Sequence, residues 1–456
     1  MIIEKKLPIP KKLSDTMKLI VRNFNENGFQ CYLIGGSVRD LILEKKVYDY
    51  DFATDAHPEQ VKQIFKRVIP TGIKHGTVTI LKSGRSFEVT TYRADGKYID
   101  GRRPETVSFS KTLEEDVLRR DFTINGLAFD LAKEHIIDYV DGMKDLENGI
   151  IRTIGAPLDR FNEDGLRPYR ACRFAAKLDF TIEDDTFSAI GSTLDIAKKV
   201  SVERVRDEFK KLLGSAKPSV GIEYLRKSGL LALFLPELAD CFEVSQNKFH
   251  IFDVYYHSIY SCDAAPRNNL NVRIAALLHD IGKVPTRRLG DDGDYTFYNH
   301  EVISAKMTRK ILKRMKFSNE EISRINNLVL NHMFHFTDDW TDGAVRRFMR
   351  KVGIENMEEL FILRQADRKG NGSRNGLPAP ILRLQERIDR IIEDENAMTV
   401  KDLDINGTVL MEEFGLEPGP VIGKILNQLL EMVLDDPAMN KKEVLIEKAR
   451  EIIEKI

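Results

Sequence analysis

Apolar positions in this chain recur at helical spacing, give way to short alternating runs, and return to helical spacing until the end. Leu13, Met17, Ile20, Val21 and Phe24 share one face and predict a helix over residues 13–27, stopped at Gly28. "QCYLI" (30–34) predicts a short buried strand, and "GGSVRD" a turn into the helix "SVRDLILEK". "VYDYDFAT" (47–54) alternates Tyr48, Tyr50 and Phe52 as a half-buried strand does, and residues 58–67 predict another helix. Strand-like runs follow at "TVTIL" (77–81) and "SFEVTTY" (86–92). "RADGKYIDGRRPETVSF" (93–109) is aperiodic and reads as a long functional loop, with Gly96 and Gly101 as hinges and Arg102 and Arg103 as charge. After "DLENGIIRTIG" (145–155) the strand signals stop; the rest reads as helical, interrupted by the linker-like "DRKGNGSRNGLPAP" (367–380). The fold class is therefore α+β followed by all-α, divided at 1–148, 149–215, 216–370 and 371–456.

Composition narrows the class. The chain has 456 residues, 42% hydrophobic and 31% charged, as an ordinary globular protein does. No apolar run reaches the roughly 18 residues that span a bilayer, and "MIIEKKLPIPKKL" has no apolar segment of a signal peptide. Cys31, Cys172, Cys241 and Cys262 lie far apart in apolar contexts, which predicts reduced core thiols and a cytoplasmic location. A net charge of -1 gives no global sign of nucleic-acid binding and leaves a local basic surface open.

Strand alternation puts Asp49 and Asp51 on one face with no cation between them. Such a pair is either a solvent-facing edge or a pair of ligands for divalent metal in phosphoryl transfer. The neighbourhood favours metal. In "GGSVRD", Gly35 and Gly36 allow backbone N–H groups to approach phosphate, Ser37 opens a helix, and Arg39 lies one turn in.

In chain order, "IGGSVRDLIL", "YDYDFAT", "FEVTTYR", "RRDFTING" and "EDGLRPYRACRFAAKL" resemble the tRNA nucleotidyltransferase and poly(A) polymerase family, in the bacterial-type (class II) CCA-adding branch, across residues 30–215. The resemblance implies a polymerase-β-like nucleotidyltransferase head (1–148) whose Asp49 and Asp51 bind Mg²⁺, with CTP and ATP as substrates and the tRNA 3′ end as acceptor. It places Arg120, Asp121 and Asn125 around ribose and triphosphate; on its own, Asp121 reads as the cap of a helix N-terminus. Asp164 and Arg167, with Glu163, fall at i and i+3, so that one helix face carries an acceptor and a donor fork, as in a structural salt bridge. The resemblance makes this neck (149–215) the reader of the base, in place of a nucleic-acid template. Arg170 and Arg173 continue the face toward phosphate or the tRNA end, and Glu88 is either a third acid or a surface carboxylate. Pro168 is a departure from the family pattern and a possible kink. No "Arg-Arg-Phe" stretch precedes Asp49, which favours tRNA over a poly(A) acceptor.

Six of nine histidines lie between 250 and 335. Helical bundles build metal sites from imidazoles and carboxylates on separate helices, whereas a lone buried histidine such as His250 is usually a core residue. "HDIGK", "FYNHE", "LVLNH" and "QADRKGNG" resemble the HD superfamily of phosphohydrolases. The resemblance implies metal ligands His257, His279, Asp280 and Asp367, a second metal at His300 and His332, Lys283 near a substrate phosphate, and His335 as a substitute for His332. It makes 216–370 an HD-containing body, and 371–456 reads as a tRNA-binding tail. The expected reaction is template-independent addition of C and A to tRNA with release of pyrophosphate. The alternatives are an A-adding enzyme acting on CC-ended tRNA, a poly(A) polymerase, and a chain that works mainly as an HD phosphohydrolase.

Overall fold

The strand signals of the first half assemble into one sheet. The computed structural model describes residues 1–94, 108–247, 251–372, 376–394 and 399–455; most of the predicted loop and His250 lie outside them. The chain divides into two compact units, Met1–Ala239 and Asp240–Ile456.

In the first unit the strands are β1 (Ile2–Glu4), β2 (Cys31–Ile34), β3 (Asp51–Thr54), β4 (Val68–Gly72), β5 (Thr77–Lys82), β6 (Arg85–Thr91), β7 (Arg93–Ala94), β8 (Ser108–Phe109), β9 (Ala128–Asp130) and β10 (His135–Ile137). Eight of them form a sheet in the order β1-β10-β9-β2-β3-β6-β5-β4, and β7 pairs with β8 at the two ends of the predicted loop. All the pairings in the large sheet are antiparallel except β3 with β6. Helix α1 (Lys11–Glu26) buries Leu13, Met17, Ile20, Val21 and Phe24, the face that the spacing predicts, and ends before Gly28 at φ +83°. Helices α2 (Gly36–Ile42), α3 (Pro58–Ile64) and α4 (Leu113–Leu118) belong to the sheet region. A core of Ile34, Ala53, Tyr92, Leu113, Val117 and Ala128 ties α4 to the central strands. Strands β1, β4, β9 and β10 are not legible in the apolar pattern, being short or sparsely apolar. Helix α5 (Gly142–Glu147) leads to α6 (Pro157–Glu163), α7 (Arg167–Leu178), α8 (Asp184–Ser192), α9 (Leu194–Ala197) and α10 (Val202–Leu213). Strand structure does not stop at residue 155: Ile150–Ile151 pairs in parallel with Thr181–Ile182. Pro168 does not kink α7; it sits in the first turn, where no intrahelical N–H is required.

Among its described residues, the second unit carries helices and a single hairpin, Arg288–Leu289 with Tyr295–Thr296. The linker assignment is corrected at both ends, since residues 367–370 close the helix Ile354–Gly370 and residues 379–380 open the helix Ala379–Glu393. All four cysteines are free and buried. Among the described residues no helix is long and apolar enough to cross a membrane.

Candidate active site

The first unit holds a cavity of about 400 Å³ lined by Asp51, Glu88, Asp121 and Asp164 together with six arginines. The surroundings of Asp51 differ from the alternating-strand expectation. β3 starts only at Asp51, because its partner β2 ends at Ile34, where Gly35 turns the chain away. Asp49 and Tyr48 precede the strand and are exposed, while Tyr50 and Phe52 are buried. The neighbour that the fold supplies to Asp51 is Glu88, opposite it in the parallel β3–β6 register. Burial, then Glu88, then Asp49 push the Asp51 carboxyl up to about 6, against the pull of Arg120. Crowded oxygen donors of this kind fit a hard divalent cation.

The glycine turn acts indirectly. Gly35 has φ +75°, and a Cβ there would come within 3.0 Å of Arg120 Nη1. Gly36 opens α2. Contrary to expectation, the Ser37 and Arg39 side chains are spent internally. The Ser37 hydroxyl donates to the Ile34 carbonyl at 3.1 Å. Arg39 is buried, donates to Asp40 at 2.8 Å, and also donates to Asn125 Oδ1. Neither side chain is among the described residues that line the cavity.

Three of the cations that line the cavity, Arg93, Arg119 and Arg120, are tied to α4. Asp116, 1% exposed, accepts from Arg119 Nη2 at 2.6 Å, Arg120 Nη2 at 2.9 Å and the Arg93 N–H at 3.1 Å. Burial opposes its charge, yet Arg120 and Arg119 hold the carboxyl down at about 2. Asp121 does not cap a helix; it precedes a three-residue 3₁₀ turn, Thr123–Asn125. Its Oδ1 accepts from Phe122 N and Asn125 Nδ2, and its Oδ2 accepts from Arg170 Nε at 2.7 Å. Against burial, Arg170 and Asn125 hold Asp121 at about 2 as well.

Asp164 and Arg167 both line the cavity, but they do not share one helix face; the Arg167 N–H donates to the Asp164 carbonyl at 2.9 Å, while their side chains take other partners. Asp164 ends α6 in an extended conformation and Arg167 begins α7. Arg167 donates to Glu163 Oε2 at 2.5 Å and to the Arg160 and Arg119 carbonyls at 3.0 Å each. Asp164 accepts from Leu166 N at 3.0 Å and from Arg204 Nη2 at 3.0 and 3.3 Å. Arg173 departs furthest from its assigned role: it is buried and donates to Glu208 of α10 at 2.5 Å.

The second unit gathers its own cluster. His279 follows the helix Leu270–Leu278, His257 comes from Val254–Ala264, His300 opens His300–Arg314, His332 follows Asn319–Asn331, and Asp367 lies in Ile354–Gly370. Asp280 joins the two halves. Its Oδ2 is 3.2 Å from His279 Nε2 and 3.3 Å from His257 Nε2, and its Oδ1 is 3.3 Å from His300 Nε2 and 3.7 Å from His332 Nε2. Asp367 Oδ1 is 3.2 Å from His257 Nε2. His279, His300 and His332 each donate Nδ1–H to the carbonyl three residues earlier, at 2.8, 2.8 and 2.7 Å. That bond fixes the tautomer and leaves Nε2 as the inward lone pair. Nε2 of His300 and of His332 has no hydrogen-bond partner among the described residues. Two ligand triads result, His257–His279–Asp280 and Asp280–His300–His332, and both fit a divalent metal. Lys283 contacts Asp280 at 2.6 Å. A second cavity is lined by His279, Asp280, His300, His332 and Asp367; His335 is exposed and does not line it, so it does not replace His332.

Known proteins carry the same architecture. Residues 31–152 match the family described as "Poly A polymerase head domain", residues 179–242 "Probable RNA and SrmB- binding site of polymerase A", and residues 297–449 "tRNA nucleotidyltransferase domain 2 putative". The chain is 35% identical over 436 residues to the CCA-adding enzyme of Streptococcus sanguinis, covering 95% of this chain and 96% of that protein. It is 33% identical over 435 residues to the CCA-adding enzyme of Ligilactobacillus salivarius, with the same coverage. The chain belongs to the CCA-adding enzyme family. A solved CCA-adding enzyme, that of Bacillus stearothermophilus in complex with CTP, superposes with a TM-score of 0.76 at 27% identity, covering 97% of this chain and 99% of that one.

Within this CCA-adding family member, sequence reasoning missed Asp116, Arg119, Arg93 and Arg204. The first two carried a readable signal: Asp116 stands three and four residues before Arg119 and Arg120, which is helical pairing distance. Arg204 carried none, since its partner Asp164 is 40 residues away.

Proposed function

We propose that this chain adds C and A nucleotides, taken from CTP and ATP, to the 3′ end of tRNA without a nucleic-acid template, releasing pyrophosphate. The observation that carries the reading is that one cavity is lined together by Asp51 and Glu88, by Arg119 and Arg120, and by Asp164 and Arg167. Asp51 and Asp49, with Glu88 beside them, would hold Mg²⁺, which when bound lowers the pKa of the tRNA hydroxyl and offsets charge on the leaving group. Arg119 and Arg120, locked by Asp116, present guanidinium forks to the triphosphate. Asp121, held by Asn125 and Arg170, lines the same cavity. The Asp164 carboxylate accepts from the exocyclic amine that C and A share, and Arg167 donates to the adjacent ring nitrogen; U and G present a carbonyl where the amine would be. Residues 1–148 serve as the catalytic head, 149–215 as the base-reading neck and 371–456 as a tRNA-binding tail, and the setting is the cytoplasm, in keeping with four free thiols. In the second unit, the two triads serve as a divalent-metal site of an HD-type phosphohydrolase.

The deciding assay offers tRNA ending at the discriminator base with CTP, ATP or both. CC with CTP alone and CCA with both is the expected result. Addition of A only to CC-ended tRNA would make the chain an A-adding enzyme, and a homopolymer would make it a poly(A) polymerase.

A further inference from the structure

We infer that Tyr298 and Met333 form an apolar seat for a flat ring at the mouth of the second unit's cavity, so that this site prefers the phosphate ester of a nucleoside to a small aliphatic phosphate. The seat deepens, and rests on, the reading of that cavity as a phosphohydrolase site. The cavity measures about 590 Å³, within the range of pockets that enclose a single small ligand. Burial divides its lining. His279, Asp280 and His332 are 1–2% exposed, whereas Tyr298 is 79% and Met333 56% exposed. The groups suited to metal therefore form the enclosed part, with Lys283 on Asp280 at 2.6 Å, and two large apolar side chains form the solvent-facing part. A ligand that covers them removes apolar surface from water.

The backbone ties both residues to the histidine cluster. Met333 follows His332 directly, and Tyr298 stands two residues before His300, whose ring centroid is 5.3 Å from that of His332. Between Tyr298 and His300, Asn299 takes the left-handed conformation at φ +59°, which Asn tolerates better than most side chains. After this turn His300 is buried as the first residue of its helix, while Tyr298 stays outside. Tyr295, Phe297 and Tyr298 all line the cavity, and two of the three rings are engaged. Arg287 Cζ lies 3.7 Å from the Tyr295 ring centroid and Lys283 Nζ 5.6 Å from that of Phe297. Among the described residues, Tyr298 alone of the three has no ring or cation against it. A ring so placed can stack on any nucleobase through its π face, whereas glycerol offers it nothing. Met333 adds a thioether that adapts to a ring edge. Arg364 and Arg368, one turn apart on the helix Ile354–Gly370, line the same cavity and bring positive charge for a phosphate. Hydrolysis of such an ester forms a bond from a water oxygen to phosphorus and breaks the bond to the nucleoside oxygen, which leaves with a proton from that water.

The test measures kcat and KM for hydrolysis of adenosine 3′-monophosphate, an RNA oligonucleotide ending in a 3′-phosphate, and glycerol 2-phosphate, with Mn²⁺ or Ni²⁺. The full chain is compared with Tyr298→Ala, Tyr298→Phe and Met333→Ala, each checked by a thermal melt. In Tyr298→Ala the preference for adenosine 3′-monophosphate over glycerol 2-phosphate should fall about tenfold, within the worth of one stacked base, and mainly through KM. Tyr298→Phe should keep the preference, because the ring stacks and the hydroxyl does not; Met333→Ala should lose part of it. An unchanged preference in Tyr298→Ala overturns the seat, as does a wild type that hydrolyses glycerol 2-phosphate as readily as the nucleotide. The oligonucleotide separates two sources of the same chemistry: its turnover supports a seat for the end of an RNA, and turnover of the free nucleotide alone supports a seat for nucleotides. If the wild type turns over none of the three, the phosphohydrolase reading fails, and calorimetry with adenosine 3′-monophosphate decides the seat by itself. Binding about tenfold weaker in Tyr298→Ala than in wild type supports it there, and equal binding overturns it. Any binding by the first unit is common to both proteins and cancels in the comparison.

Discussion

Two carboxylates of the first unit, half-buried Asp51 and buried Asp116, respond to pH with opposite sign. Asp51 is crowded by Glu88 and raised to about 6, so the folded chain binds its proton more tightly than the unfolded chain does. Its contribution to stability is full below about 4 and is lost as pH rises through about 6. Asp51→Asn should therefore abolish nucleotide addition while raising stability at pH 7, without divalent cation, by about 1–2 kcal/mol. Urea melts from pH 4 to 7 check this, and parallel curves for wild type and variant would remove the crowding argument. Asp116 is lowered to about 2, and its contribution is present above about 4 and lost as pH falls through about 2. Asp116→Asn should cost about 2 kcal/mol at pH 7 and raise KM for nucleotides as Arg119 and Arg120 lose their anchor. A stability gap that does not narrow between pH 7 and pH 3 would contradict the assignment.

At the scale of elements, turns and helix junctions do work that the chemistry of single residues does not reveal. Gly35 makes the β2–α2 turn at positive φ and lets Arg120 lie against it. Gly35→Ala should cost about 1–3 kcal/mol through backbone strain and displace Arg120, so that nucleotide KM rises with the melting temperature lowered. A change in the melting temperature alone would show that Arg120 tolerates the methyl group. The α7–α10 contact rests on Arg173 and Glu208, both buried. Breaking one partner of such a pair costs about 3–5 kcal/mol. Arg173→Ala is thus expected to act first on stability, measured by denaturant titration, whereas a phosphate-contacting role would show as weaker substrate binding in a fully stable protein.

Across the whole molecule, two clusters of acids arise in different compact units and share no residue. Changing His279 and Asp280 together to Ala should remove divalent-metal binding to the second unit, followed by calorimetry, along with any metal-dependent phosphatase activity. CMP and AMP addition should persist in that variant. Loss of addition, in a protein whose melt and circular dichroism are unchanged, would mean that the histidine cluster contributes to handling tRNA.

Sequence alone determined what depends on local spacing and residue type. The α1 face, β5 and β6, the burial of the four cysteines and the helical character of the second half follow from periods that each element must satisfy by itself. The order of motifs was likewise enough to select Asp51, Asp121, Asp164, Arg167 and the histidines as candidates. Tertiary structure decided which charges meet. The parallel β3–β6 register sets Glu88, rather than Asp49, directly opposite Asp51. Helix packing gives Asp164 to Arg204 and Glu208 to Arg173, and places Asp280 between four imidazoles. Helical pairing distance links only residues three or four apart. In a segment rich in cations and acids, many long-range pairings satisfy the same charge pattern. Burial selects among them: a desolvated charge must be matched by a specific partner, and only the packed helices and strands fix which partner is within reach.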